Sequence, residues 1–537
     1  MARMQWSVVP VCVAAMAVSC VASTAQKLTA GEVRAAHAVD VAKKQGEPEL
    51  YALLKTMPKG ADLHMHLSGA VYAETFIAEA VKQGLCVAAV SAGTPAVPVG
   101  QGAVKLVSAE GKGCPKDAVP ASEAMKNQEL YDAMVDSFSM RAFVPTQGIN
   151  GHDQFFATFA RFGADRDAGD WLDEVATRAA TQNEQYLEIM QTPPFGHAIS
   201  IAKTIGWPEP KFPGEMPDFA KLRDALLAGG LRDEVAVDSK AFADAKTAQR
   251  RMEDCDAQAH ANPACKVKIH WLYQVLRGFA PQQVFAQTLL GFEVAIADPD
   301  VVGINFVMAE DGRVSMQDYH LQMKMLEYLH SVYPKVHITL HAGEIAPGLV
   351  PPAGLTFHIR EAVELGHAER IGHGVDVLYE DRPEELLKEM AAKHISLELN
   401  LTSNDVILGV KGSDHPLAAY RAAHVPYSIC TDDEGVSRID LTHEYVRAVM
   451  EQHLEYADLK QSARTSLEHS FMPGKSLWTA EDRYTQRVGA CSATITEKSE
   501  PSAGCASFLN ANEKAAAQWE LEHRLAIFEG HAGSVSH

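Results

Sequence analysis

Eight short apolar runs, most of them separated by helical patterns, constrain this chain more than any other feature. They fall at residues 61–66, 186–190, 267–273, 301–307, 336–341, 370–373, 395–401 and 426–431. Runs this short and this apolar read as strands buried on both faces, and the helical patterns at 317–332, 359–365 and 383–393 lie between them. Strand and helix alternating eight times predicts a (β/α)8 TIM barrel with N-terminal and C-terminal helical additions. The competing fold is an open doubly wound sheet, but no glycine-rich phosphate loop follows any of the runs. A barrel also fixes where chemistry sits, because its active site is built at the C-terminal ends of the strands.

Those strand ends carry the residues that matter. His64 and His66 close the first run, and two side chains one residue apart point to the same face of a strand. In a chain with 23 histidines such a pair alone is weak. It gains weight from three later run ends: His341-Ala342-Gly343-Glu344, Arg370-Ile371-Gly372-His373-Gly374-Val375-Asp376 and Cys430-Thr431-Asp432-Asp433. Three imidazoles and a carboxylate suit zinc and leave a position for water, so His64, His66, His341 and Asp432 are expected to hold one zinc ion per chain. Such an ion lowers the pKa of water to about 7 and makes it a nucleophile. Glu344, three residues past His341, reaches the cavity without being a ligand and is the expected proton donor to a ring nitrogen of the substrate. His373 and Asp433 are expected to orient the water and share its proton, with His373 also steadying charge on the attacking oxygen. The residues alone therefore read as metal-assisted hydrolysis. Glu188, His152, His270, His358 and His415 read as structural or solvated.

The net charge of −21 disfavours nucleic acid and anionic membrane as partners, and a small or neutral substrate fits better. Residues 1–25 have the pattern of an export signal: Arg3, an apolar stretch over 8–22, and Ser23-Thr24-Ala25 with cleavage expected after Ala25. Acylation at Cys20, in a lipoprotein variant of that signal, is the one route to membrane attachment. In an oxidising compartment the sequence-local pairs Cys86 with Cys114, Cys255 with Cys265 and Cys491 with Cys505 are expected as disulfides, leaving Cys430 a buried thiol. The chain then divides into the signal, an N-terminal helical extension over 26–57, a barrel over 58–455 and a C-terminal helical segment over 456–537. Helix is expected over 29–54, 70–83, 123–143, 152–178 and 515–529, and a long inserted loop over 86–120.

At Pro58-Lys59, His64-Met65-His66-Leu67 and Gly69, then His341-Ala342-Gly343-Glu344, Arg370-Ile371-Gly372-His373-Gly374, Thr402-Ser403-Asn404 and Thr431-Asp432-Asp433, the chain resembles the adenosine deaminase family. The resemblance implies a zinc-dependent barrel that replaces the 6-amino group of a purine nucleoside with oxygen, giving inosine and ammonia from adenosine and the corresponding products from 2′-deoxyadenosine. It implies that His64, His66, His341 and Asp432 hold the zinc, that Glu344 protonates the purine ring and that His373 and Asp433 handle the water. Ser68 stands where cytosolic members carry an acidic residue for the ribose 5′-hydroxyl. Met308 stands where the family tends to have a glycine whose N–H approaches the purine, so Ser68, Met308 and Asp433 are the expected substrate contacts. Two alternatives stay open: a deaminase of another 6-aminopurine, either adenine or an adenine nucleotide, and a nucleoside-binding signalling protein on the same fold. The export signal, the N-terminal extension, the insertion before the second strand, Glu310-Asp311 and Ser466-Leu467-Glu468-His469-Ser470-Phe471 are similar to the secreted, growth-factor-type branch. An exported protein, periplasmic or secreted, is implied.

Overall fold

All eight apolar runs are strands of one parallel sheet. The structure, a computed structural model, describes residues 28–90, 102–111, 113–146, 148–164, 167–209, 212, 214–256 and 262–532. In chain order its strands are β1 (Gly60–His66), β2 (Cys86–Ala89), β3 (Val104–Val107), β4 (Ala118–Pro120), β5 (Glu184–Gln191), β6 (Lys268–Leu276), β7 (Val301–Val307), β8 (His337–Ala342), β9 (Arg370–His373), β10 (Ser396–Leu399) and β11 (Tyr427–Ile429). The large sheet runs β1-β5-β6-β7-β8-β9-β10-β11, and each pairing in it is parallel. Helices such as Pro281–Ala297, Arg313–Val332 and Pro383–Ala392 cross between successive strands on the outside. The result is a (β/α)8 barrel with extra helices, and strands covered on both faces explain the unbroken apolar runs.

The ring is drawn shut where its first strand meets the residues after its last. The Asp432 N–H donates to the His64 carbonyl at 2.8 Å, and Met65 forms a parallel bridge with Asp432. Buried Asp62 reinforces this seam. Its Oδ1 accepts from the His64 N–H, and its Oδ2 accepts from both the N–H and the hydroxyl of Thr431. Closure thus brings the end of β1 beside the Asp432-Asp433 pair, more than 360 residues later in the chain. The helix Tyr456–Glu468 packs on both β1 and β11. Its Ser466 hydroxyl accepts from the Ala61 N–H at 2.9 Å and its Ser462 hydroxyl from the Ile429 N–H at 3.0 Å. These side chains satisfy backbone donors at the seam that have no strand partner there.

Four expectations for local structure are corrected. Residues 86–120 carry a small antiparallel sheet, ordered β3-β2-β4, rather than a loop alone. Strands of three or four residues rich in Ala and Val are too short to show a period, so only their pairing reveals them. The N-terminal helical pattern is two helices, Ala30–Gln45 and Glu47–Thr56, because Gly46 at φ 129° leaves the helical region and Pro48 starts the second helix. The pattern over 152–178 likewise divides into Gly151–Phe162 and Ala168–Thr181, and that over 123–143 into a short 3-10 helix Ala121–Met125 and the helix Gln128–Phe138.

The three expected disulfides, Cys86–Cys114, Cys255–Cys265 and Cys491–Cys505, are formed, and Cys430 is a buried free thiol. The export signal, Cys20 included, lies outside the described residues. Among those that are described, no helix is long and apolar enough to cross a membrane.

Candidate active site

At the C-terminal mouth of the barrel, β1 delivers His64 and His66, β8 delivers His341, and the turn after β11 delivers Asp432. The Nε2 atoms of His64 and His66 each lie 3.2 Å from His341 Nε2. Asp432 Oδ1 lies 3.2 Å from His66 Nε2 and 3.6 Å from His64 Nε2. A tetrahedral ion bonded to nitrogen and oxygen at about 2.0–2.1 Å has ligand-to-ligand edges of about 3.3 Å, so these four atoms have the spacing of such a shell.

The outer nitrogens of the three rings show how this arrangement suits a cation. His64 Nδ1 donates to Glu398 Oε2 at 2.6 Å, His66 Nδ1 to Gln274 Oε1 at 2.9 Å and His341 Nδ1 to Asn305 Oδ1 at 2.8 Å. With each Nδ1 proton held by an oxygen, each Nε2 of the neutral ring is free to offer its lone pair to a cation. Asp432 Oδ1 is buried among them with no hydrogen-bond donor among the described residues, while Asp432 Oδ2 accepts from the Ser403 hydroxyl at 2.6 Å. Burial would raise the Asp432 carboxyl, but the histidines around it hold it well below the usual range. The residues present therefore fit a divalent metal.

Glu344 sits on the loop after β8, buried, with its carboxyl pushed well above the ordinary range by burial and by the charges of Asp432 and Glu310. That environment favours the protonated form of its carboxyl. Glu310, beyond β7, clamps the loop that carries it: Oε1 accepts from the Gly343 N–H at 3.0 Å and Oε2 from the Glu344 N–H at 2.7 Å, while His358 Nδ1 donates to Oε1. Burial raises the Glu310 carboxyl, but the charge and hydrogen bond of His358 outweigh it and bring the group down to about 2, so Glu310 is an acceptor at any working pH. Gly343, at φ 78°, allows the loop to turn so tightly, and a Cβ there would stand 2.4 Å from Asp376 Oδ1. His373 Nε2 lies 3.6 Å from Glu344 Oε1 and 3.9 Å from Asp432 Oδ2, and burial takes the ring down to about 4, so it is neutral. Burial and the Asp432 charge raise Asp433 to about 8, which lets it exchange a proton near neutral pH.

These groups open into a cavity of about 390 Å³ lined by His66, Glu344, Asp432 and Asp433 on one side and by Phe155, Phe156 and Phe159 on the other. Met308 lines it too, at φ 90°, a left-handed conformation that favours glycine. His373 and Asp432 also have positive φ, at 69° and 60°. Such backbone costs roughly 1–3 kcal/mol per residue and persists where the surroundings hold it, as at functional sites.

Most of the residues expected from sequence meet here, and a few do not. Ser68, half-buried on the one-turn helix Leu67–Ala70 behind His66, is not among the residues that line the cavity. His152 is on the wall, its Nε2 2.8 Å from Asp311 Oδ1, rather than merely structural or solvated. His358 and His415 support the site from behind through Glu310 and Asn404, whereas His270 contacts Tyr186 at the start of β6, away from the strand ends. Glu188 is structural as expected, buried and paired to Arg370 at 2.7 Å. Gln274, Asn305 and Glu398, which fix the three rings, carry no signal in a single sequence beyond lying in or beside an apolar run. The phenylalanine helix was legible as an apolar face, but nothing in it indicated that this face lines the cavity.

Comparison with known proteins agrees with this geometry. Residues 234–482 match the family model for adenosine deaminase. Over 135 residues the chain is 34% identical to the adenosine deaminase of Clostridium perfringens strain 13, covering 25% of this chain and 37% of that protein. Over 137 residues it is 39% identical to the adenosine deaminase of Escherichia coli strain SE11, covering 25% of this chain and 38% of that one. The alignments thus span well under half of these relatives. Among solved structures, an adenine deaminase from Arthrobacter aurescens superposes with a TM-score of 0.47 at 17% identity, covering 77% of this chain and 94% of that one. An N6-methyl-AMP deaminase from Arabidopsis thaliana superposes with a TM-score of 0.47 at 19% identity, over 78% and 94% of the two chains. The matched region holds His341, Glu344, His373 and Asp432 but begins well after β1, and barrel closure is what sets His64 and His66 against it. The part of the chain that matches the adenosine deaminase family model thus carries His341, Glu344, His373 and Asp432 of the site.

Proposed function

We propose that this chain is an exported, zinc-dependent deaminase that hydrolyses the 6-amino group of adenosine and 2′-deoxyadenosine. The observation that carries the reading is the set of four buried, inward-facing ligand atoms of His64, His66, His341 and Asp432, with closest spacings of 3.2–3.6 Å, next to a buried Glu344 whose carboxyl is pushed upward. His64, His66, His341 and Asp432 hold the metal. A bound zinc ion supplies water with a pKa near 7, the nucleophile that attack on C6 needs. Glu344 donates its proton to N1 of the purine as the oxygen adds at C6, so that N1 takes no negative charge. His373 and Asp433 stand on the side of the attacking oxygen, and Asp433 relays a proton to the departing nitrogen. The C6–N6 bond breaks, ammonia leaves and the 6-oxopurine remains.

The cavity supports an uncharged substrate. Its ionisable walls are Glu344, Asp432 and Asp433 with His66, His152 and His341, and no lysine or arginine lines it among the described residues. A phosphate brought there would face carboxylates, which favours a nucleoside over a nucleotide. Met308, Leu276 and the three phenylalanines give the base an apolar wall, and of the polar contacts expected from sequence Asp433 lines the cavity whereas Ser68 does not. Three disulfides support an oxidising compartment and, with the signal pattern of residues 1–25, export.

The test follows the 6-aminopurine absorbance band when zinc-loaded protein meets adenosine, with adenine and AMP run beside it. Adenosine is expected to turn over, a chelator to abolish turnover, and Glu344→Gln to lower kcat by about 10²–10⁴-fold with zinc content intact. Preferential turnover of adenine or AMP would overturn the substrate assignment. No turnover of any of them by the zinc-loaded protein would overturn the enzyme.

A further inference from the structure

Behind His373 runs a line of three buried groups that ends on a backbone N–H. The Leu417 N–H lies 3.1 Å from His415 Nδ1, His415 Nε2 lies 3.0 Å from the Asn404 carboxamide, and the other carboxamide atom lies 3.0 Å from His373 Nδ1. His415 is 3% exposed, and Asn404 and His373 are 0% exposed, so no water competes for these contacts. Each link alone is ambiguous, because a neutral imidazole has two tautomers and a carboxamide two orientations.

The Leu417 peptide removes the ambiguity. A peptide N–H can only donate, so His415 Nδ1 must accept and carries no proton. Pro416 has no N–H that could offer an alternative, and Leu417 opens the helix Leu417–Ala422, where first-turn N–H groups lack helical acceptors. The His415 proton is then on Nε2, pointing at Asn404. As placed, Asn404 turns its Nδ2 to this N–H, donor against donor, and its Oδ1 to His373. Rotating the carboxamide by half a turn resolves the conflict: the oxygen accepts from His415, and the NH2 donates to His373 Nδ1. His373 Nδ1 is then an acceptor, and its proton lies on Nε2. That atom has no hydrogen-bond partner among the described residues and faces the site, 3.6 Å from Glu344 Oε1 and 3.9 Å from Asp432 Oδ2.

We propose that His415 is a positioning residue that, through Asn404, locks His373 as the Nε2–H tautomer, making it a fixed hydrogen-bond donor to the attacking oxygen rather than a proton acceptor. The inference rests on the deaminase reading for what that donor meets, but the relay itself is a property of the apoprotein. Proton acceptance from the water then falls to Asp433. The relay also accounts for two features that the ligand set leaves unexplained: a histidine buried outside the ligand set, and an asparagine in Thr402-Ser403-Asn404 that touches neither metal ligand nor cavity wall.

The decisive measurement is the tautomer of His373 and His415 in the full-length, zinc-loaded protein with 15N-labelled histidine, read from two-bond nitrogen–proton correlations. Both rings are expected as Nε2–H. A proton on Nδ1 of His373 would overturn the proposal, whether or not any substrate is turned over, so its failure is separable from failure of the deaminase reading. Asn404→Asp, an isostere that can only accept, should reverse the His373 tautomer and lower kcat by about 10²–10³-fold, the effect of losing one preorganised donor, with KM and zinc content unchanged. His415→Leu should give a mixed tautomer and a smaller fall in kcat, and His415→Gln, which keeps an N–H toward Asn404, should recover most of it. Retention of kcat within about threefold in a folded, zinc-replete Asn404→Asp enzyme would show that His373 acts as an acceptor and would refute the relay.

Discussion

Glu398 is the group whose removal best separates holding the metal from holding the fold. It is 0% exposed, and three donors converge on it: His64 Nδ1 at 2.6 Å, Arg370 Nε at 2.6 Å and the Thr339 hydroxyl at 2.8 Å. Burial raises its carboxyl, but the Arg370 charge outweighs this and brings it down to about 2, so the group is an anion throughout. Glu398→Gln keeps the volume and one acceptor oxygen but loses the charge. Two consequences follow, of different size. Weakening the support of a ligating imidazole typically costs 10–100-fold in metal affinity, about 1.4–2.7 kcal/mol. Loss of the charge-assisted bond to Arg370, which keeps Glu188 at 2.7 Å as a second carboxylate, should cost the apoprotein about 1.5–3 kcal/mol. Competition with a chromophoric chelator at fixed pH reads the first quantity, and thermal unfolding of the metal-free protein reads the second. Thr339→Val is the control, since it removes a donor from the same carboxylate without touching its charge, and should shift zinc affinity by less than about threefold. If Glu398→Gln lowers apo stability while zinc affinity stays within twofold, Glu398 serves only Arg370, and the assignment of His64 as a ligand oriented from behind is wrong.

Gly69→Ala would place a Cβ 1.5 Å from Asp433 Oδ1, so Asp433 must move; kcat should fall by at least about tenfold with zinc content unchanged, as read by turnover beside metal analysis. Cys491→Ser with Cys505→Ser opens a disulfide that spans 14 residues beside the small apolar cluster of Leu477, Trp478 and Leu509. Its loss should cost about 2–4 kcal/mol in thermal unfolding, and a reductant should then have less effect on the variant than on the parent. Asp238, on the helix Val235–Met252, is raised to about 7 by burial and by the charge of Glu234 against the hydrogen bond from Tyr273. Because its folded pKa lies above the unfolded one, its stabilising contribution is whole below about pH 4 and declines as pH rises toward 7. Asp238→Asn should remove that slope, raising stability at pH 8 relative to pH 5 by up to a few kcal/mol against the parent, and an unchanged pH profile of unfolding would refute the shift.

The sequence by itself determined the barrel and most of the candidate metal site. Continuous apolar runs mark strands covered on both faces, and a parallel barrel places chemistry at their C-terminal ends. His64, His66, His341, Glu344, His373 and Asp432 could therefore be picked out by their distance from the end of a run. Cysteines close in sequence paired as their spacing suggested. Tertiary structure alone decided the rest. Gln274, Asn305 and Glu398 look like ordinary polar residues, and what makes them important is which ring they face across the sheet. Glu310 belongs to the loop after β7 yet grips the loop after β8, a relation that comes from strand order and not from any local pattern. Ser68 is next to the ligands in the chain but turns onto a separate helix, while Phe155, Phe156 and Phe159, nearly 90 residues after His66, form the opposite wall. Strand character depends on local sequence, so periodicity reports it. A cavity wall or a proton relay depends on which distant backbone segments barrel closure brings within 3 Å, and a single sequence does not encode those distances in any local signal.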